Sequence, residues 1–143
     1  MTATTRALLA CLLSAAGVAI GADAGNARVD ALQAKRPELR LRAAPKLAFV
    51  PAKVQFIATL EGGDDDYQEF YCPSIEWDWD DDTTSESSPD CEPYQPGQSR
   101  IIRRYTAQHI FQFEGIHEVK FKLKSKGRTI ALTTVSVEVR PGH

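Results

Sequence analysis

The chain has 143 residues, of which 43% are hydrophobic and 25% are charged, and this composition is typical of one globular domain rather than of a disordered polymer. The net charge is −2, but the charges are unevenly distributed. No Lys or Arg occurs between Lys53 and Arg100, and both tryptophans lie in that acidic segment. The pattern argues against a nucleic-acid partner, because such a protein combines a basic surface with its aromatic side chains.

Residues 1–24 are predicted to form a secretory signal peptide. Arg6 is the only charged residue before Asp23, and residues 7–21 form a continuous run of small and apolar side chains. This run is short for a membrane span of about 20 residues, and Ala22-Asp23-Ala24 fits the cleavage rule for signal peptides. We expect a mature chain from Gly25 and a secreted or periplasmic protein. An uncleaved anchor, or a lipoprotein signal at Leu8-Leu9-Ala10-Cys11, is the alternative.

Residues 25–44 are predicted to form a flexible basic linker in front of the domain. Its apolar residues are mostly alanine with scattered leucine, and Pro37 interrupts any helix. The cations are Arg28, Lys35, Arg36, Arg40 and Arg42. The domain proper is expected to span residues 45–140.

Alternation of apolar and polar residues predicts the first strands of this domain. A short strand is expected at residues 47–50 and a longer one at residues 53–60, followed by an acidic loop at Asp64, Asp65 and Asp66. Further along, Ile75, Trp77 and Trp79 alternate with Glu76, Asp78 and Asp80, which is typical of a half-buried strand. We expect Trp77 to be the main core residue and Trp79, nearer the next turn, to contribute less.

The second half of the domain reads as one long loop and several more strands. Residues 83–97 are rich in Ser, Pro, Asp and Gly and are expected to be loop. Strands are expected at residues 100–105, 110–113, 117–124 and 129–139, and Lys120, Lys122 and Lys124 would face water and discourage edge pairing. About seven strands without a convincing helix predict an all-β, antiparallel β-sandwich, with a small barrel as the alternative.

The cysteines agree with export. Removal of the signal peptide takes Cys11 away and leaves Cys72 and Cys91. An even pair in an exported domain usually forms a disulfide. A zinc site is not expected, because the chain has neither Cys-x-x-Cys spacing nor a histidine close to either cysteine.

The chain resembles a known family in two separated motifs. The sequence from Trp77 to Asp82 resembles the Trp-Asp-Phe-Gly-Asp-Gly signature of the PKD (polycystic kidney disease) domain. About thirty residues later, His109-Ile110-Phe111, Glu114-Gly115 and the alternating run at residues 119–123 are similar to that family's next motifs. The resemblance covers roughly residues 45–140. It implies an immunoglobulin-like β-sandwich that acts as a non-catalytic extracellular module in contact with proteins or carbohydrates.

The sequence also departs from the family. Asp80 and Asp82 stand where the family has glycines, and Phe111 replaces a tyrosine. The two cysteines flank the predicted strand that contains Trp77 and Trp79, so they are not the cross-core pair of antibody domains. These departures put the geometry of the turn after the Trp strand in question.

An enzyme is not expected from the polar residues. The acids lie in loops, where they would stay solvated and ionised instead of providing the raised pKa that a general acid needs. The three histidines, His109, His117 and His143, have no activated nucleophile beside them in sequence. The expected function is therefore binding or adhesion by a monomer, to an unidentified protein or polysaccharide, with no cofactor and no membrane span after signal removal.

One alternative function involves a metal. Calcium takes six to eight oxygen ligands, and the turn at Asp78, Asp80 and Asp82 could supply two or three of them. The alternative is thus a calcium-dependent structural domain that uses its acidic loops. The spacing of an EF-hand is absent.

Overall fold

The computed structural model of the protein describes Gly17 and residues 34–142, so the predicted signal peptide and the first part of the predicted linker lie outside the described residues. The described chain contains eight strands and one short 3-10 helix. The strands are β1 (Glu38–Ala44), β2 (Leu47–Phe49), β3 (Ala52–Glu61), β4 (Ser74–Asp78), β5 (Thr84–Ser87), β6 (Arg104–Phe111), β7 (Gly115–Ser125) and β8 (Arg128–Arg140), with the 3-10 helix at Gln68–Phe70.

The strands form two sheets. One has three strands in the order β1-β3-β6, and the other has five in the order β2-β8-β7-β4-β5. The strand pairs are antiparallel except β2, which runs parallel to the last residues of β8. The buried cluster takes residues from both sheets, so the two sheets pack face to face. The prediction of an all-β fold with two packed sheets is confirmed.

Alternating burial explains why these segments become strands. In β3 the side chains of Val54, Phe56 and Ala58 are fully buried, whereas Lys53 and Gln55, which precede Val54 and Phe56, are exposed. The same alternation runs along β7 and the second half of β8. Because successive side chains of a strand point to opposite faces, each strand offers one apolar face to the core and one polar face to solvent.

Both tryptophans lie in this core. Trp77 is 4% exposed and Trp79 is 2% exposed, and their rings stack with centroids 5.2 Å apart. Phe56 of the opposite sheet lies 5.2 Å from the Trp79 ring, and Phe121 of the neighbouring strand lies 4.5 Å from Trp77. Since both rings are equally buried, the structure removes the reason to expect a smaller contribution from Trp79.

The predicted linker is wrong for its last part. Glu38–Ala44 forms β1 and pairs with β3 along its whole length. The chain is fixed even before β1, because the backbone N–H of Lys35 donates to the Asp64 carboxylate (2.7 Å) and the N–H of Asp64 donates to the carbonyl of Lys35 (2.9 Å). The leucines that looked scattered, Leu39 and Leu41, pack against the core.

Three further details differ from expectation. Within the predicted loop, Thr84–Ser87 forms the edge strand β5, which apolar alternation could not reveal because all four residues are exposed. The strands expected at residues 100–105 and 110–113 are one strand, β6, that begins only at Arg104. Lys120, Lys122 and Lys124 do not protect a sheet edge, because β7 lies between β4 and β8 in the middle of its sheet.

The connections lie at two opposite ends of the sandwich. We call the end with residues 62–73 and 88–103 the loop end, and the end with residues 79–83 and 112–114 the turn end. A disulfide between Cys72 and Cys91, with Cα atoms 6.1 Å apart, belongs to the loop end and confirms the predicted pairing.

Candidate functional site

The turn end gathers the acids and histidines singled out in the sequence. Strand β4 delivers Asp80 and Asp81 into the turn, β6 brings His109, and β7 brings His117. The Nε2 atom of His109 lies 2.6 Å from Oδ2 of Asp81. The His109 ring stacks on Trp79 at 4.4 Å, so this polar pair is built directly on the core.

The Asp81 carboxylate is held in its ionised form. Burial by itself would raise the pKa of Asp81, but hydrogen bonds from Thr83 and His109 outweigh it and hold the pKa below the usual value. Thr83 contributes both its backbone N–H and its hydroxyl to Oδ1. The carboxylate therefore closes the turn from one side and fixes His109 on the other.

His117 connects three segments. It is 7% exposed, and its Nδ1 and Nε2 atoms lie 3.1 Å and 3.2 Å from the carbonyl oxygens of Asp80 and Phe113. A neutral imidazole has one N–H, whereas the charged ring has two and can donate to both carbonyls. The Phe111 ring stacks on the imidazole at 4.5 Å. His117 thus ties the turn after β4 to the turn after β6.

The turn keeps a left-handed backbone without glycine. Asp80 has φ of 59° and Asp82 has φ of 65°, a region that glycine enters freely and aspartate enters more readily than most residues. The two aspartates thus adopt a glycine-like conformation at the positions where the PKD signature has glycines. Asp80 gains a bond in return, because its Oδ2 accepts the backbone N–H of Glu118 at 2.8 Å.

The arrangement gives the calcium alternative no support. Asp78 uses Oδ1 to accept the N–H of Asp80 (3.1 Å), and Asp80 is bonded to Glu118. Among the described residues, no group of three or more His, Cys, Asp or Glu side chains is placed to hold a metal ion. A calcium site at Asp78, Asp80 and Asp82 remains a prediction, and a rise in melting temperature with calcium that Asp80→Asn with Asp82→Asn abolishes would demonstrate it.

The His109–Asp81 pair resembles part of a catalytic triad, but its neighbouring hydroxyls serve other bonds. The Thr83 hydroxyl donates to Asp81, and the Ser85 hydroxyl accepts the indole N–H of Trp79 at 3.0 Å. A nucleophilic hydroxyl would have to donate to the free imidazole nitrogen. Within the described residues, the hydrogen bonds of this pair join His109, Asp81 and Thr83, and no hydroxyl is bonded to the imidazole of His109.

The loop end is held together by the first acidic run. The Arg103 guanidinium donates to the Asp65 carboxylate (2.7 Å and 3.0 Å) and to the carbonyls of Leu60 and Gly62. The Tyr94 hydroxyl donates to the carbonyl of Asp66 at 2.6 Å. The acidic loop and the long loop before β6 are therefore bonded to each other. Sequence reasoning missed Arg103, because one arginine before a strand carries no pattern.

On the outer face of the five-stranded sheet, acidic and basic side chains form ion pairs with each other. Glu76 lies between Lys122 and Lys124, with both ammonium groups 3.0 Å from its carboxylate. Hydrogen bonds from Lys124 and Lys122 hold the pKa of Glu76 below its usual value, and the same contact raises the pKa of Lys124. The alternation of polar residues on two adjacent predicted strands was the signal that could have revealed this network.

The outer face of the three-stranded sheet is different. Its exposed side chains include Arg40, Arg42, Lys53 and Arg104. Arg40 forms ion pairs with Glu38 (3.2 Å) and Glu61 (2.8 Å). The structure records no ion pair for the other three cations within residues 34–142.

Comparison with known proteins identifies no relative. No protein-family model matches the chain, and no curated protein matches it. In the part of the chain that the structure describes, no helix is long and apolar enough to cross a membrane.

Proposed function

We propose that this protein is an exported, non-catalytic binding module of PKD type that contacts a protein or a polysaccharide at the cell envelope or outside the cell. The strand order supports this proposal. In an immunoglobulin-like sandwich, strands A, B and E share one sheet, and F lies between C and G in the other. Strands β1, β3 and β6 fit the first group, and β4, β7 and β8 fit the second.

The single observation that carries the proposal is the position of Trp77 on β4, together with the turn that follows it. Trp77 is buried on β4, the position of strand C, where immunoglobulin domains keep their core tryptophan. The left-handed aspartates that follow take the glycine positions of the PKD signature. Disulfides persist mainly in oxidising compartments, so the Cys72–Cys91 bridge supports export.

Two measurements test this proposal. Expression of the full chain in a bacterial host, followed by fractionation and intact mass, should find a secreted or periplasmic species that begins at Gly25. A species that retains Met1 in the membrane fraction would contradict export. The purified protein should then be retained by an immobilised envelope polysaccharide or protein, whereas the reduced and denatured chain should not. Failure of every surface to retain the folded protein would overturn the binding role.

A further inference from the structure

Basic residues from both sides of the acidic segment come together on the three-stranded sheet. Residues 54–99, which contain no Lys or Arg, build the acidic loop, β4, β5 and most of the loop end. The basic flanks contribute β1, the start of β3 and β6, and these three strands form one sheet. Arg40, Arg42, Lys53 and Arg104 therefore meet on one sheet face although they are distant in sequence. Other basic residues of the C-terminal flank, among them Lys120, Lys122 and Lys124, lie on the five-stranded sheet.

Strand register places these cations relative to one another. Arg40 pairs with Thr59, and Thr59 pairs with Arg104, so the three lie in one row across the sheet. Arg42 lies opposite Ile57 in the next row, and Lys53 lies opposite Ile110 towards the turn end. With strands about 4.8 Å apart and residues rising about 3.4 Å each, the Cα atoms of Arg42, Lys53 and Arg104 form a triangle with sides of roughly 12–20 Å.

These three side chains have their charge available. All three residues are exposed, and among the described residues none of the ion pairs involves them, in contrast to Arg40 with its two glutamates. A guanidinium offers a planar fork of donors that suits carboxylate, sulfate and phosphate oxygens. Arg42 and Arg104 therefore provide two anion-recognition groups, and Lys53 adds a third, smaller charge.

Apart from the cations and the two glutamates that pair with Arg40, the face is mostly polar and uncharged. Between the cations lie exposed amides and hydroxyls, from Gln55, Gln108 and Thr106, with Thr59 half-buried. Its apolar side chains are the exposed Ala44, the half-buried Ile57 and the half-exposed Ile110. Protein interfaces concentrate binding energy in buried aromatic and arginine residues, and aromatic side chains are absent from the exposed positions of β1, β3 and β6. Exposed amides and hydroxyls, which can both donate and accept hydrogen bonds, suit a hydroxylated polymer better.

We propose that the outer face of the three-stranded sheet binds an acidic polysaccharide, with Arg42, Lys53 and Arg104 contacting its anionic groups and Gln55, Thr106 and Gln108 bonding its hydroxyls. This inference rests on the proposed binding function and specifies its ligand class and its surface. A polymer chain running along β3, from the Arg104 and Arg42 side towards Lys53, would meet cations whose Cα atoms are roughly 12–20 Å apart.

The test is affinity electrophoresis of the purified mature protein in gels that contain polygalacturonate (carboxylated), dextran sulfate (sulfated) or neutral dextran. We expect retardation by at least one acidic polymer, none by neutral dextran, and weaker retardation at higher salt because exposed charges are screened. Comparing the two acidic polymers distinguishes carboxylate from sulfate recognition. Absence of retardation by both acidic polymers would overturn the inference.

Matched variants then locate the surface. Arg42→Gln, Lys53→Gln and Arg104→Gln together should weaken binding at least about tenfold, which corresponds to roughly 1.4 kcal/mol. The control removes the same charge elsewhere, at Lys46, Lys120 and Arg128, and should leave affinity within about twofold. Equal losses in both triple variants would show non-specific attraction and contradict the inference. Thermal melting of both variants checks that they fold, and amide chemical shifts of the wild type with polymer locate contacts without any mutation.

Two other outcomes separate this inference from the general proposal. Retention by neutral dextran or by an envelope protein, unaffected by Arg42→Gln, Lys53→Gln and Arg104→Gln, would preserve the binding function and refute this surface. Equal affinity for polyglutamate and polygalacturonate would show that charge alone is recognised, which also refutes a polysaccharide-specific face.

Discussion

The two ends of the sandwich use the same residue type in opposite ways. At the turn end, Asp81 is mostly buried, with 16% of its side chain exposed, and it bonds an imidazole that stacks on the core. At the loop end, Asp65 is 62% exposed and bonds Arg103 and Arg100 at the surface. The turn end also depends on aromatic burial, whereas the loop end depends on a disulfide and hydrogen bonds between loops.

This difference teaches that acid content alone does not identify a site. Both acidic runs read as loops in the sequence. At the turn end, the aspartates accept hydrogen bonds from residues packed at the edge of the core. At the loop end, Asp65 forms surface ion pairs, each of which contributes little to stability. We therefore expect substitutions at the turn end to lower the free energy of unfolding more than substitutions at the loop end, with removal of the disulfide as the exception.

The largest effect is expected at Trp79, where the turn end meets the core. Trp79→Ala should lower the free energy of unfolding by about 3–5 kcal/mol, because the ring packs on Phe56 and Trp77 and its N–H bonds Ser85. Chemical denaturation measures the change. Trp77→Ala is the comparison and should cost a similar amount. A loss for Trp79→Ala of less than half that for Trp77→Ala would restore the original expectation that Trp79 matters less.

The next effect belongs to the loop end. Replacing Cys72 and Cys91 by serine should cost roughly 3 kcal/mol, since the bridge closes a loop of about 20 residues in the unfolded chain. Free-thiol labelling of the native wild type should find no reactive cysteine in the mature chain. A melting temperature unchanged by the double substitution would mean that the loop hydrogen bonds suffice to order this end.

His117→Phe should cost about 1–3 kcal/mol, because it removes the imidazole from between the carbonyls of Asp80 and Phe113 and leaves at least one of them without its donor. The aromatic ring can still pack on Phe111, so the loss isolates the hydrogen bonds. His109→Phe is the matched control, since its ring nitrogens have one polar contact, to Asp81, in place of two. If His109→Phe were the more damaging change, the imidazole at position 117 would not be the main connection at this end.

The smallest effects concern individual carboxylates, and pH separates them. The pKa of Asp81 is lowered by folding, so its contribution is present above the ordinary aspartate pKa of about 3.9 and is lost as pH falls through the folded value. Asp81→Asn should therefore cost about 1–2 kcal/mol at pH 7 and progressively less below pH 4. Asp65→Asn should cost at most about 1 kcal/mol. Urea unfolding at pH 7, 5 and 3 distinguishes the two. An equal cost of Asp81→Asn at all three values would contradict the argument.

Much of the fold could be predicted because its strands have one apolar face. The alternation at residues 53–60, 75–79, 117–124 and 129–139 reports burial directly, and all four became strands. The even pair of cysteines left after signal removal in an exported domain predicted the disulfide. β5 could not be predicted, because it is an exposed edge strand fixed by backbone bonds to β4. β1 was missed because its two leucines are too few to show a period among arginines.

The candidate site was less predictable for a physical reason. Burial leaves a periodic trace in a sequence, but a hydrogen bond between distant side chains leaves none. His117 and Asp80 are 37 positions apart, and Arg103 is 38 positions from Asp65. The cations at positions 42, 53 and 104 share a face only through strand register. That register depends on the whole fold.

The bridge between Cys72 and Cys91 has a consequence for proteolysis. Its ring encloses β4, the aspartate turn and the exposed strand β5, and exposed loops and edges are where proteases cut. A single cleavage within the ring would leave the two fragments joined by the disulfide, so that Trp77 and Trp79 stay covalently linked to the residues on both sides of the ring that they pack against. Such a nicked protein would run as one band without reductant and as two with it, and an external protease would need a second cut to release any piece.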